Sequence, residues 1–171
     1  MRNMQISNKL PQFERFPALF ITSGEYEAHF YIAFQGKLEL KKILKMPPRE
    51  EAKEKQGFTG HKAGMQDLSS LSHKGKYAED LKMKFARNVH AIVHDILADS
   101  NMEEIYVFAP KFVMVRILAG LDKNEQKKVR MQFYNEYTKN NPIELIKIFQ
   151  KEIDKIQKEI IQSPVQRPLI T

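Results

Sequence analysis

The sequence predicts an α/β domain on a mixed five-stranded sheet, with strands and helices in the order βββαβαβα. Three observations predict it. Short apolar runs broken by turn residues fill the first part of the chain, and a long stripe of apolar residues at three- and four-residue intervals follows. Strand-like and helix-like stretches then alternate to the end. Length agrees, because 171 residues, 42% hydrophobic and 29% charged, suit one globular domain. A chain of this size buries roughly 70% of its extended surface, so its core needs no disulfide or structural metal.

Residues 1–16 have no clear period, contain Pro11 and lead to Pro17, and read as an N-terminal arm. The domain itself spans 17–161. Ala18 to Thr22 is a continuous apolar run, the pattern of a strand covered on both faces, and Ser23-Gly24-Glu25 supplies a turn. Tyr26 to Phe34 is a second strand, ended by Gln35-Gly36. In the third, Leu38, Leu40, Leu44 and Met46 share one parity against Lys37, Glu39 and Lys41, which predicts one half-buried face. Pro47-Pro48 stops the pairing, since neither can donate a ladder hydrogen bond.

From there to Lys76 no period holds, and four of the seven glycines fall in this stretch. It reads as a long loop over 47–76, with a short helix around Arg49 to Lys55 as an option. Structureless connections of that length are usually functional or disordered. From Tyr77 the residues Leu81, Phe85, Val89, Ile92, Val93, Ile96 and Leu97 continue one stripe of a long helix. Glu104 to Ala109 is a short buried strand. Pro110 opens a second helix, presenting Phe112, Val113, Ile117, Leu118 and Leu121. After a polar, basic turn, Val129, Met131 and Phe133 alternate as a fifth strand. Asn141, Pro142 and Glu144 then form a helix-start signature, with Leu145, Ile146, Phe149, Ile153, Ile156 and Ile160 on the buried face. Ser163-Pro164 ends that helix, and 162–171 is a tail. An antiparallel meander followed by right-handed crossovers gives a mixed sheet with helices on its faces, as in ribonuclease H-like folds.

Composition excludes several chemistries. With no cysteine there is no thiol catalysis, thiolate zinc site or iron–sulfur cluster, and the chain fits a reducing compartment; cytoplasm is the expected location. Met1 to Pro11 lacks the apolar stretch of a secretory signal, and no run approaches the length of a membrane span. Nucleases of ribonuclease H-like fold hold two metal ions on carboxylates from the first and fourth strands. The first strand here has no acid, and Glu103 and Glu104 stand at the entry of the fourth, away from the carboxyl edge where open α/β sheets bind ligands. His90 and His94 have the four-residue spacing of a zinc-binding helix, but Ala91 stands where that motif has Glu, and solvated histidines on a polar face are the favoured reading. His29 reads as a packed or edge residue. No nucleophile elbow, Walker A run or dinucleotide fingerprint occurs.

Charge is uneven. Residues 37–87 carry 13 Lys or Arg against 7 Asp or Glu, most of the chain's net +7. Such an excess is one footprint of a polyanion partner, and also what a soluble Lys-rich loop shows. Arg49, Lys53, Lys55, Lys62, Lys74 and Lys76 are the candidate phosphate contacts, with Phe58, His61 and Tyr77 as stacking faces for unpaired bases. Glu50, Glu51 and Glu54 lie among them and oppose that reading.

The helix sequence Lys84-Phe85-Ala86-Arg87, running into Val89 and Ile92, and the strand and turn Ile105-Tyr106-Val107-Phe108-Ala109-Pro110-Lys111-Phe112 resemble the bacterial host attachment protein family. That family is related to the middle domain of archaeal and eukaryotic peptide-chain release factors and of the ribosome-rescue protein Pelota. The similarity covers roughly residues 17–155 and consists mostly of core patterning. It implies a meander, an extended loop and a long helix, in a ribosomal or transfer-RNA setting. In release factors the loop carries Gly-Gly-Gln, whose glutamine and backbone promote hydrolysis of peptidyl-tRNA. No Gly-Gly-Gln occurs here, and Gln56-Gly57 and Gln66 have other neighbours, so no catalytic residue carries over. The expectation is a non-enzymatic domain without cofactor, metal or membrane contact, binding the ribosome or structured RNA through its basic loop. The alternatives are a protein-interaction module of the host-attachment kind and an unrecognised phosphoester hydrolase.

Overall fold

The computed structural model describes residues 3–47 and 67–162, with the side chains of 67–74 outside the description. The elements are β1 (Asn3–Gln5), β2 (Ala18–Ser23), β3 (Glu27–Phe34), β4 (Lys37–Lys45), α1 (Asp67–Ala98), β5 (Glu104–Phe108), α2 (Lys111–Gly120), α3 (Lys123–Lys128), β6 (Val129–Phe133) and α4 (Ile143–Gln162). They form one mixed sheet in the order β1-β4-β3-β2-β5-β6. The antiparallel meander β2–β3–β4 is present, and β5 and β6 extend the sheet parallel to β2, as the alternation of strands and helices requires. Among the described residues, no helix is long and apolar enough to cross a membrane.

The sheet has six strands rather than five. Within the expected arm, Asn3 to Gln5 pairs with the edge of β4, and Ile6 is fully buried behind it. Three residues are too few to show a period, which hides this strand in the sequence. Between β3 and β4 the connection is two residues long, with φ of 47° at Gln35 and 74° at Gly36. That is the left-handed pair of a hairpin turn whose twist matches the flanking strands.

The third strand of the meander departs from its predicted single face. Phe30 pairs with Lys42 but Tyr31 with Leu40, so Lys41 is an extra residue, a bulge. One inserted residue reverses the alternation. Leu38 and Leu40 therefore face one side of the sheet, while Leu44 and Met46 face the other, although all four share a parity in the sequence.

Both faces are covered. On the first, Leu19, Ile21, Phe30, Ile105 and Val107 meet Phe85, Val89 and Val93 of α1 and Val113, Met114 and Ile117 of α2. On the second, Phe20, Tyr31, Tyr106 and Phe108 meet Leu145, Ile146 and Phe149 of α4. Phe108 stacks on Phe133 with centroids 4.3 Å apart, and Tyr106 lies 4.6 Å from Phe149. Each fully buried aromatic or branched side chain contributes about 1.5–3 kcal/mol of transfer free energy, which fixes both layers on the sheet. Asn141 accepts a hydrogen bond at 3.1 Å from the Ile143 backbone N–H, so the predicted cap opens α4.

Three predicted stripes overrun their cores. Tyr77 of α1 and Phe112 of α2 are 46% and 54% exposed, and Ile156 and Ile160 of α4 are exposed as well. Each lies where its helix has passed the edge of the sheet or turned outward, beyond the reach of the layer beneath.

Candidate functional site

The carboxyl ends of β2, β4, β5 and β6 share one edge of the sheet, since β4, β5 and β6 all run parallel to β2. β4 ends at this edge, and the described residues stop at Pro47 just beyond it. The α1 helix returns to it, starting at Asp67, ten residues before the apolar stripe begins at Tyr77. The loop expected over 47–76 is thus helical from 67 onward. In the sequence, residues 67–76 show no apolar stripe of the kind that begins at Tyr77.

The level of α1 is set by Lys82, whose Nζ lies 3.1 Å from Oε1 of Glu25 in the turn after β2. Among its described side chains, Gly75 onward, the first buried one is Phe85. From Asp67 to Lys82 the helix rises about 22 Å, so these turns project past the sheet edge. Lys76 and Tyr77 are exposed on this projection, and Lys74 lies one turn before Tyr77. The ion pairs of Lys82 with Glu25 and of Arg116 with Glu79, the latter at 3.3 Å, brace its base against the sheet and α2. Glu25 raises the Lys82 ammonium above its usual range, first by hydrogen bonding and then by charge, so the brace stays ionised at neutral pH.

Of the nine predicted contact residues, the structure brings Lys74, Lys76 and Tyr77 onto one projecting helix. Arg49, Lys53, Lys55, Phe58, His61 and Lys62 lie outside the described residues, as does the optional helix of Arg49 to Lys55. At the edge itself an open cleft of about 560 Å³ is lined by Gly24, Glu25, Glu27, Lys45, Pro47 and Glu136. Glu136 packs against Gly24 so closely that a Cβ there would lie 2.8 Å from its Oε1. Three carboxylates against one ammonium make this cleft unfavourable for a phosphate.

Next to the cleft, His29 is packed in β3, its ring held at 2.7 Å by Oε1 of Glu27 and at 3.1 Å by the Tyr31 hydroxyl. The hydrogen bond from His29 and then the Lys45 ammonium hold the Glu27 carboxyl below its usual range, against partial burial. Burial pushes the Tyr31 hydroxyl up, which keeps it protonated. These bonds tie the ring to its own strand. Thr22, at the end of β2, has a buried hydroxyl with no hydrogen-bond partner among the described residues. Glu104 stands at the opposite edge, where its Oε2 accepts the Tyr106 hydroxyl at 2.6 Å.

The two helix histidines are not merely solvated, which corrects the sequence expectation. His90 and His94 both contact Glu125 of α3, at 3.1 and 3.0 Å. The polar turn before β6 is in fact a short helix with a reciprocal capping box between Asp122 and Glu125. Asp122-x-x-Glu125 is a readable helix-start pattern, and it is the signal that could have found α3. What no local pattern shows is that Glu125 lies under a pair of histidines thirty residues upstream.

No family model matches the chain, and no curated protein does. Among solved structures it is similar to one described as an archaeal protein, at 10% identity and a TM-score of 0.43, covering 85% of this chain and 39% of that one. It is similar to an archaeal translation termination factor, aRF1, at 11% identity and a TM-score of 0.42, covering 85% and 41%. A third is Dom34 of S. cerevisiae, a translation termination-like factor involved in RNA quality control and interacting with Hbs1, at 13% identity and a TM-score of 0.38, covering 88% and 41%. The chain spans about two fifths of the length of each.

Proposed function

We propose that this domain is a non-catalytic, release-factor-like module that binds structured RNA, in ribosomal or transfer-RNA form. Its contacts are Arg49, Lys53, Lys55, Lys62, Lys74 and Lys76, with Phe58, His61 and Tyr77 stacking on unpaired bases. One observation carries the reading: α1 begins at Asp67, well before the brace at Lys82, and presents exposed Lys76 and Tyr77, with Lys74 in the turn before Tyr77. Lys74 and Lys76 lie where a long, basic-flanked segment of the sequence rejoins the domain. The braces at Lys82 and Arg116 hold its base rigid, which lowers the ordering cost of docking. The choice of RNA over other polyanions follows from the sequence resemblance to the host attachment and release-factor lineage. Without Gly-Gly-Gln, the module docks and does not hydrolyse.

Salt dependence tests it. Each phosphate contact contributes about 0.7–0.9 to the slope of log affinity against log salt, so reversing Lys53, Lys55, Lys62 and Lys74 lowers that slope by about three. An unchanged slope and affinity for an RNA hairpin after the reversal removes the projection from the account.

A second reading, a protein-interaction module of the host-attachment kind, is favoured by Met83 on α1 and Phe112 and Val115 on α2, all large, apolar and exposed. Pull-down with and without ribonuclease separates the two: partners that survive ribonuclease and include no ribosomal protein favour this one.

A further inference from the structure

We infer that His94, Asp122 and Glu125 form a site for a divalent transition-metal ion of the zinc class, with His90 as a positioning residue. The ligand-bearing atoms of the three lie within 4.8 Å of one another, at the junction of α1 and α3. This site is separate from the proposed RNA contacts, since Tyr77 and His94 are about 26 Å apart along α1.

The capping box prepares the donors. Asp122 Oδ1 accepts the backbone N–H groups of Asn124 and Glu125 at 2.7 and 2.8 Å, which leaves Oδ2 without a partner among the described residues. Glu125 Oε2 accepts the Asp122 backbone N–H at 2.9 Å and faces His90 Nε2 at 3.1 Å. Its Oε1 is left to His94 Nδ1, 3.0 Å away. Each carboxylate therefore spends one oxygen on the backbone, and Glu125 turns its other to His94.

The spacing suits a small ion. Zinc binds imidazole nitrogen and carboxylate oxygen at about 2.0–2.2 Å, which places neighbouring ligands in a tetrahedron about 3.3 Å apart. The His94–Glu125 contact opens by a few tenths of an ångström to admit the ion, and the Asp122 carboxylate, whose donor lies within 4.8 Å of the other two, closes onto it. Glu125 is 5% exposed and so cannot swing away, whereas the His94 side chain is 65% exposed, giving entry from solvent and room for a water ligand. One imidazole and two carboxylates favour zinc, cobalt or nickel over magnesium, which dehydrates reluctantly and prefers oxygen alone. His90 fixes the rotamer of Glu125 from behind, as outer-shell partners of metal-bound carboxylates do.

The test is titration of the full, untagged chain with Co²⁺, followed by visible absorption, and with Zn²⁺ in competition. One equivalent of Co²⁺ is expected to give ligand-field bands that Zn²⁺ abolishes and Mg²⁺ does not. His94→Ala and Glu125→Gln each weaken binding more than tenfold. His90→Ala weakens it about tenfold and leaves the band positions unchanged, a signature of positioning without ligation. A His73→Ala variant binds as wild type. Should a site variant fail to fold, histidine ¹⁵N spectra of the wild type decide: Zn²⁺ moves the His94 Nδ1 resonance and leaves that of His29 in place. Absence of Co²⁺ bands, wild-type affinity in His94→Ala, or an unmoved His94 resonance overturns the site.

Discussion

Deleting Lys41 is predicted to leave the domain nearly as stable as before. Without it, Leu40 is followed directly by Lys42, and the pairs Tyr31–Leu40 and Phe30–Lys42 become neighbours in an unbroken ladder. Leu38 and Leu40 keep facing α4, and Leu44 and Met46 keep facing α1. The deletion removes only one surface ion pair, Lys41 with Glu39 at 3.0 Å, worth up to about 1 kcal/mol and commonly less. If all four apolar residues instead shared one face, as their common parity suggests, the deletion would turn Leu44 and Met46 outward. Both are half-buried, so each would lose about 1–1.5 kcal/mol, or 2–3 kcal/mol together. At about 2–4 °C per kcal/mol for a domain of this size, that amounts to a fall in Tm of roughly 5–10 °C. Thermal unfolding followed by circular dichroism separates the cases. A Tm within about 2 °C of wild type supports the bulge, and a fall of 5 °C or more refutes it.

Two other predictions follow from the core and from the strand edge. Phe108→Ala removes a fully buried ring packed against Phe133, Phe20 and Tyr137, costing about 3–5 kcal/mol and lowering Tm by roughly 10 °C; a shift under 3 °C in the same melt would contradict the packing. The Glu27 carboxyl has a lower pKa folded than unfolded, so its stabilisation is full above its ordinary value of 4.5 and fades as pH falls through the depressed folded value. His29→Ala removes the main cause, so its Tm should decline less steeply than wild type below about pH 4.5, by a fraction of a kcal/mol because the carboxylate is largely solvent-screened. Parallel acid limbs in wild type and variant would show that the pair contributes nothing.

Much of the architecture was legible because it rests on burial. The run from Ala18 to Thr22 and the stripe through Phe85, Val89 and Val93 each bury a face, and a buried face imprints a period. What escaped had no such imprint. Asn3 to Gln5 is too short, and residues 67–76, though helical from Asp67, carry no apolar stripe in the sequence. The bulge at Lys41 is hidden by coincidence, since Leu38, Leu40, Leu44 and Met46 fall on even positions although the strand changes face between them. For the sites, residue types were readable but their meeting was not. His90 and His94 show their spacing in the sequence, yet only the fold brings Glu125 beneath them.

Ribosome binding through the basic segment is tested by sedimenting the protein with ribosomes at low and high salt, as wild type and with Lys53, Lys55, Lys62 and Lys74 reversed in charge. Wild type is predicted to pellet with ribosomes at low salt and to be released at high salt, while the reversed variant stays in the supernatant at both. A variant that pellets like wild type, or a wild type whose pelleting ignores salt, would contradict it.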